Sequence, residues 1–185
     1  MKTKYIIHGG AAQHQNGQND SFFAEILKSA PQKVNVLLVH FAGEVERAKI
    51  NEEIDTQHFE RVKGDKLITY TIAREDSFLR QIKNAHVIYF GGGTTVKLMV
   101  ALKKFKNLAH HFEGKIVAGE SAGANVLVTY CYSKSGGGVM ACLGILPIKF
   151  RPHYGGEDNS ELESVAPNLE TVSLSNYKYR VFEVT

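Results

Sequence analysis

The sequence predicts a three-layer α/β fold with a mainly parallel sheet between two layers of helices. Short runs rich in β-branched and aromatic residues alternate along the chain with stretches that have helical patterning. Their spacing leaves room for a helix between successive runs, as in the right-handed crossovers that join parallel strands. Small or functional residues follow four of these runs, at the strand ends where α/β proteins bind ligands.

The predicted elements follow one another in order. Strands are predicted at residues 5–8, 34–40, 67–72, 87–90 and 116–118. Helices are predicted at residues 21–29, 45–62, 76–84 and 95–106, the last with an apolar stripe suited to packing on a sheet. Residues 171–174 and 179–184, joined by a polar turn, predict two further strands that extend or edge the sheet.

Length and composition narrow the possible classes of protein. A chain of 185 residues predicts one domain over residues 1–185, and 43% hydrophobic with 22% charged residues excludes a mainly disordered chain. The longest apolar stretch, residues 139–148, contains Gly144 and Pro147 and is shorter than the roughly 20 residues of a membrane span. No signal-peptide pattern follows the N-terminus, so we expect a cytoplasmic protein without a membrane partner.

Charge and cysteine content predict neither a nucleic-acid partner nor a metal. The net charge is +3, and the one lysine cluster, on residues 97–106, is interpreted as a solvated helix face rather than a nucleic-acid contact. Cys131 and Cys142 form no CxxC motif and have no histidine at zinc-ligand spacing. We therefore expect reduced thiols, no metal and no cofactor.

The strongest motif is the sequence GESAGAN at residues 119–125. It is a G-x-S-x-G motif placed directly after a predicted strand, the context of a nucleophile elbow, in which a serine hydroxyl stands out at the sheet edge. Ser121 is therefore the candidate nucleophile, and the backbone N–H of Ala122 is a candidate oxyanion donor. The alternative is a tight turn of small residues without reactivity.

A second motif, FGGGTT at residues 90–95, ends another predicted strand. Its glycines let the backbone approach a ligand, which makes Gly92 a candidate oxyanion-hole residue and Gly93 a candidate substrate-binding residue. Alone, the motif fits an ordinary turn or a phosphate cradle, but it lacks the lysine of a P-loop. Beside Ser121 it is interpreted as the other half of an oxyanion hole.

A serine nucleophile needs a base, and the chain has eight histidines. His8 and His40 lie at the correct strand ends, but either fits a histidine satisfied at the edge of the core. His153 lies in the sequence FRPHY at residues 150–154, where Pro152 fixes the chain just before it.

These motifs together resemble the peptidase E (aspartyl dipeptidase) and cyanophycinase family of serine peptidases. GESAGAN, FGGGT and the LGIL segment at residues 143–146 that leads to Pro152-His153-Tyr154 occur in family order and at family-like spacing over nearly the whole chain. The resemblance implies a fold similar to class I glutamine amidotransferases, a flavodoxin-like sandwich. It also implies that Ser121 is the nucleophile, that His153 is its base, and that the substrates are short peptides with an acidic first residue.

The sequence departs from the family at the acid that orients the histidine. Family members carry an Asp or Glu between the serine and the histidine, whereas no carboxylate lies between Ser121 and Glu157 here. The substitutes available nearby or in the last strand are Glu157, Asp158, Glu161 and Glu183, and the sequence does not choose among them. A protein that kept the pocket but lost catalysis is therefore the alternative to a peptidase.

Two charged residues beside the catalytic pair are candidate substrate ligands. Glu120 could face the α-ammonium of a peptide or form an ion pair with a neighbouring Lys or Arg. Arg151 could grip an acidic side chain with both nitrogens or only cover the sheet edge. The function predicted is hydrolysis of short peptides by a monomer or homodimer.

Overall fold

The computed structural model describes residues 2–185, which form two β-sheets and the helices that cover them. The strands are β1 (Thr3–His8), β2 (Lys33–Val39), β3 (Leu67–Ile72), β4 (Val87–Phe90), β5 (Ile116–Glu120), β6 (Val128–Ser133), β7 (Gly138–Ala141), β8 (Leu146–Arg151), β9 (Glu170–Ser173) and β10 (Tyr179–Val184). The helices are α1 (Asp20–Lys28), α2 (Ala48–Val62), α3 (Phe78–Asn84), α4 (Thr95–Leu102), α5 (Leu108–His111), α6 (Ala122–Asn125) and α7 (Ser160–Ser164).

The larger sheet contains the five strands that the sequence predicts before Ser121. Its order is β10-β1-β5-β4-β2-β3, with β1 to β5 parallel and β10 antiparallel to β1. Non-consecutive neighbours such as β1 and β5 require the crossover connections that the alternating pattern predicts. The predicted α/β fold with a mainly parallel sheet is confirmed.

Side chains of the larger sheet alternate between two buried faces. Ile6 on β1 packs with Phe22 and Phe23 of α1 and with Phe59 of α2. The neighbouring Ile7 points to the opposite face, whose hydrophobic cluster includes residues of α3, α4 and α5. Because successive residues of a strand point to opposite sides, a strand that is apolar throughout needs cover on both faces.

A second sheet, of order β7-β6-β8-β9, was not predicted. The serine motif ends in the single turn of α6, after which the chain enters β6, and β6 pairs with β8 in parallel and with β7 antiparallel. Cys131 and Phe150 of this sheet belong to the same hydrophobic cluster as Ile7 of the larger sheet. The apolar character of residues 126–131 therefore reflects packing between the sheets.

The two C-terminal strands belong to different sheets. β10 edges the larger sheet, as predicted, through antiparallel pairing with β1. β9 instead pairs with β8 at the edge of the second sheet, so the expectation that both strands extend one sheet is wrong. The polar turn between them crosses from one sheet to the other and passes the carboxyl end of β1.

Candidate active site

Ser121 occupies a strained turn between β5 and α6. Its backbone has φ 50° and ψ −105°, and its N–H donates to the carbonyl of His8 over 3.1 Å. A positive φ in a residue other than glycine costs on the order of 1–3 kcal/mol and persists only where the surrounding structure enforces it. Here Gly123 allows the turn to pack tightly, because a Cβ at that position would overlap the carbonyl of Phe90. The result is a nucleophile elbow.

His153 reaches Ser121 from the second sheet. It follows the end of β8, where its N–H donates to the carbonyl of Gly9 over 2.7 Å. Its ring lies against Gly10, where a side chain would occupy the same space. His153 Nε2 and Ser121 Oγ are 2.8 Å apart, so the serine and the histidine singled out in the sequence are in hydrogen-bond contact.

The other nitrogen of this ring contacts an asparagine that sequence reasoning missed. His153 Nδ1 lies 2.7 Å from Asn176 Oδ1, in the turn between β9 and β10. That turn is held against β1 by the N–H of Tyr177, which donates to the carbonyl of Gly10, and by the N–H of Gly9, which donates to the carbonyl of Lys178. The polar turn is visible in the sequence, but its place beside β1 depends on strand order.

The four carboxylates considered as substitutes for the orienting acid have other partners. Glu157 accepts from the N–H of Gly155, Asp158 accepts from the N–H and hydroxyl of Ser160, Glu161 accepts from the N–H of Val139, and Glu183 pairs with Lys2. Within residues 2–185, none of the four forms a hydrogen bond or ion pair with His153.

The glycine turn between β4 and α4 borders Ser121. Gly92 lies against the carboxylate of Glu120, and its N–H is one of three backbone donors that stabilise the charged form of that side chain. Gly93 lines the cavities on both sides of Ser121. Ala122 is the first residue of α6, so its N–H has no acceptor within the helix.

Glu120 is buried beside Ser121, where it lines a cavity. Its Oε1 accepts from the N–H of Ala12 over 3.3 Å, and the side chain forms no ion pair within residues 2–185. The alternative of an ion pair with a neighbouring Lys or Arg is therefore wrong. Burial is the main cause that raises the pKa of Glu120 to about 7, the charge of Asp55 adds to it, and the N–H groups of Ala12, Gly92 and Ala11 oppose it.

The cavity over Glu120 has a volume of about 440 Å³ and opens on Ser121 and His153. Its wall includes His40 Nε2, which lies 2.7 Å from Asp55 Oδ2, with both side chains at most 10% exposed. Arg47 lines its outer part. We call this space, which holds two buried carboxylates, the acidic cavity.

A second cavity of about 230 Å³ lies on the other side of Ser121 and His153 and contains Arg151 and Lys134. The Arg151 guanidinium donates to the carbonyl of Asp158 over 2.6 Å and to Asn159 Oδ1 over 3.0 Å, and it stacks 4.2 Å above the ring of Tyr132. The nearest carboxylate oxygen paired with it belongs to Glu157, at 4.0 Å. We call this space the basic cavity.

The two alternative histidines occupy different surroundings. His8 is fully buried and stacks on Phe22, with ring centroids 4.3 Å apart. Burial first, then the charges of His153 and His58, lower the pKa of His8 to about 4, so its ring is neutral at pH 7. His40 is paired with Asp55 in the acidic cavity. Of the three candidate histidines, His153 is the one in contact with Ser121.

A strand-to-helix turn that holds Ser121 against His153, on a mainly parallel sheet, defines a serine hydrolase site of the amidotransferase-like kind. The model of peptidase family S51 matches residues 5–177, and the chain belongs to that family. This confirms the resemblance to the peptidase E and cyanophycinase family, whose members are serine peptidases.

Solved structures show the same fold. A crystal structure of a peptidase from an acI-B1 Actinobacterium matches with TM-score 0.72 and 18% identity, covering 100% of this chain and 85% of that one. A protein of Listeria monocytogenes EGD-e, provisionally described as a peptidase E, matches with TM-score 0.65 and 16% identity, covering 100% and 98%. No curated protein matches the chain.

Two further features of residues 2–185 concern membranes and metals. No helix there combines the length and apolar character that crossing a bilayer requires. Over the same residues, no group of three or more His, Cys, Asp or Glu side chains is arranged to hold a metal ion.

Proposed function

We propose that the protein is a serine peptidase that cleaves short peptides with an acidic first residue, with Ser121 as nucleophile and His153 as general base. The observation that carries the proposal is the 2.8 Å contact between Ser121 Oγ and His153 Nε2 at a strained elbow. Membership of family S51 supports the reaction class, because that family implies a serine peptidase acting on peptides.

In the first step His153 Nε2 takes the hydroxyl proton while Ser121 Oγ attacks the peptide carbonyl. The negative charge moves to the carbonyl oxygen, and we assign its stabilisation to the N–H of Ala122 and to the N–H of Gly92, which the oxygen would share with the carboxylate of Glu120. His153 then gives the proton to the leaving amine as the C–N bond breaks. Water attacks the acyl-enzyme by the same route, which releases the product acid and restores Ser121.

The acidic cavity supports recognition of the α-ammonium group of the substrate. Glu120 and Asp55 are buried there, and Glu120 has only backbone N–H donors as partners among the described residues. A buried carboxylate is costly unless a cation is nearby, so an ammonium group in this cavity would favour the charged form of Glu120. We therefore assign Glu120 to the first residue's amino group.

The basic cavity supports recognition of an acidic side chain. Arg151 lies there beside His153 and Gly93, and the oxygens nearest to it, on Asp158 and Asn159, are neutral. A guanidinium can hold both oxygens of a carboxylate. We assign Arg151 to the carboxylate of the first residue and Gly93 to the substrate backbone.

Residues 1–185 are proposed to form one domain, as a monomer or homodimer in the cytoplasm. The hydrophobic cluster that contains residues of both sheets supports the one-domain part of this proposal.

A fluorophosphonate probe tests the reaction class directly. Attack by Ser121 Oγ forms an O–P bond, fluoride leaves, and the hydroxyl proton passes to His153. We expect the native protein to gain the mass of one probe molecule less that of HF, and Ser121→Ala to gain none. Native protein that remains unlabelled at high probe concentration would support a binding protein that has lost catalysis.

Cleavage assays then test the substrate. We expect release of free leucine from Asp-Leu, and none from N-acetyl-Asp-Leu, because acetylation removes the charge that Glu120 is assigned to bind. Equal cleavage of the free and acetylated peptides would remove Glu120 from substrate recognition and leave the serine peptidase assignment intact.

A further inference from the structure

The partner of His153 on the side away from Ser121 is a neutral amide, in a family whose members orient this histidine with a carboxylate. Asn176 Oδ1 is 2.7 Å from His153 Nδ1. A carbonyl oxygen can only accept a hydrogen bond, so Nδ1 carries a proton and donates it. In a neutral ring, Nε2 is then unprotonated and faces Ser121 Oγ at 2.8 Å. This is the tautomer that a general base for Ser121 requires.

The turn that carries Asn176 is fixed from two sides. Tyr177 has φ 66°, its N–H donates to the carbonyl of Gly10, and its hydroxyl lies 2.6 Å from His14 Nδ1. On the other side, the N–H of Leu174 donates to the carbonyl of Arg151 over 3.0 Å. The turn that carries Asn176 is therefore anchored both to the end of β1 and to β8, the strand that leads to His153.

Solvent exposure explains why an amide is sufficient at this position. His153 and Asn176 are both exposed. In a buried triad the carboxylate fixes the tautomer and also stabilises the imidazolium that forms during attack. An exposed imidazolium is stabilised by water, so the requirement that remains is the tautomer and ring orientation, which a neutral oxygen fulfils.

We propose that Asn176 is the positioning residue of this site and replaces the missing acid. The proposal rests on the proposed function for its kinetic consequences, but its structural part, the tautomer of His153, stands apart from activity. It requires that Asn176→Ala removes the hydrogen bond that orients the His153 ring, and that Asn176→Asp keeps this hydrogen bond while adding a negative charge.

The variants Asn176→Ala and Asn176→Asp test the proposal, with Ser175→Ala as the matched control in the same turn. We expect Asn176→Ala to lower the rate of fluorophosphonate labelling by tenfold or more and Ser175→Ala to leave it unchanged. Asn176→Asp should recover most of the native rate, because its oxygen accepts the same hydrogen bond. A native labelling rate in Asn176→Ala would overturn the proposal.

The pH profile separates positioning from a merely structural effect. A carboxylate beside His153 favours the protonated ring, so the acidic limb of the labelling profile should move to higher pH in Asn176→Asp, by about one unit. The other titratable or charged groups around His153 are His8 on β1, His40, Glu44, Arg47, Asp55 and Glu120 in the acidic cavity, and Lys134, Arg151 and Glu157 in the basic cavity. All these groups are the same in the native protein and in Asn176→Asp. An acidic limb of the labelling profile at the same pH in both proteins would therefore overturn the proposal.

Nitrogen-15 NMR of the His153 ring distinguishes failure of this proposal from failure of the proposed function. We expect the native ring at neutral pH to carry its proton on Nδ1 and Asn176→Ala to show a mixture of both tautomers. This pattern in a protein that does not label would uphold the positioning role and reject the peptidase. An unchanged tautomer in Asn176→Ala would reject the positioning role even if Ser121 labels.

Discussion

The acidic and basic cavities share Gly93, Ser121 and His153 but carry opposite charges. Glu120 lies in one without a cationic partner among the described residues, and Arg151 lies in the other with neutral oxygens as its nearest acceptors. Arg151 has Glu157, 4.0 Å away, as its paired carboxylate and Asp55 has His40, whereas Glu120 has no ion-pair partner among the described residues, and burying an unpaired charge is costly. This difference supports the proposal that the site binds a small ligand with both a positive and a negative group.

The largest effect should come from the histidine shared by both cavities. We expect His153→Ala to lower probe labelling at least about 10³-fold, because Ser121 loses the acceptor of its proton. His40→Asn keeps a hydrogen-bond donor for Asp55 and should retain most of the labelling, since His40 belongs to the acidic cavity alone. Intact-mass kinetics measure both rates, and the reverse ranking would assign the base to His40.

The sequence predicts the larger sheet and the turn at Ser121 because both depend on local patterns, whereas His153 is assigned through the family resemblance. Alternation of apolar runs indicates the parallel strands, and the small residues around Ser121 indicate the elbow. The sequence does not predict the second sheet. Residues 126–131 are apolar because they are buried between the sheets, and a short apolar run has no periodicity that distinguishes a strand from a helix.

Asn176 escapes prediction for a different reason. Its contact with His153 depends on β10 pairing with β1, which brings the preceding turn to Gly9 and Gly10. The order of strands in a sheet is set by tertiary packing between distant segments. The four carboxylates that the sequence offers, three near His153 and one in the last strand, are therefore not the partners of His153, and the residue in contact with its ring is an amide.

The next largest effect should be on stability, through the acidic cavity. The folded state raises the pKa of Glu120 from 4.5 to about 7, so between these pH values the folded protein holds a proton that the unfolded chain has released. The free energy of unfolding should therefore fall as pH rises through this window, by about 3 kcal/mol in total.

Glu120→Gln is the matched variant for this effect, because its side chain stays neutral at all these pH values. We expect native protein to lose stability relative to Glu120→Gln between pH 4.5 and 7.5, as measured by urea unfolding at both values. The same pH dependence in the two proteins would show that the pKa of Glu120 is the same in the folded and unfolded states. Burial of this carboxylate would then not lower the stability of the protein.

A smaller effect, on substrate choice, should come from the basic cavity. We expect the native protein to cleave Asp-Leu about tenfold or more faster than Asn-Leu, since hydrogen bonds to charged groups contribute about 1.5–3 kcal/mol. Arg151→Met keeps the stem of the side chain over Tyr132 and should equalise the two rates. Equal kcat/KM for both peptides in the native protein would exclude Arg151 from specificity.

The smallest effect should come from Lys134, the other cation of the basic cavity. Lys134 is exposed, whereas Arg151 is only 8% exposed, so water and salt screen the lysine far more strongly. Exposed ion pairs contribute about 0.2–1 kcal/mol, and Lys134→Met should therefore lower kcat/KM for Asp-Leu only about twofold. The loss should vanish in 0.5 M salt, whereas the effect of Arg151→Met should persist. A larger loss of kcat/KM for Lys134→Met than for Arg151→Met would show that the substrate carboxylate is bound at the exposed mouth of the cavity. The contrast between the buried Glu120 and the buried Arg151 would then no longer explain the specificity.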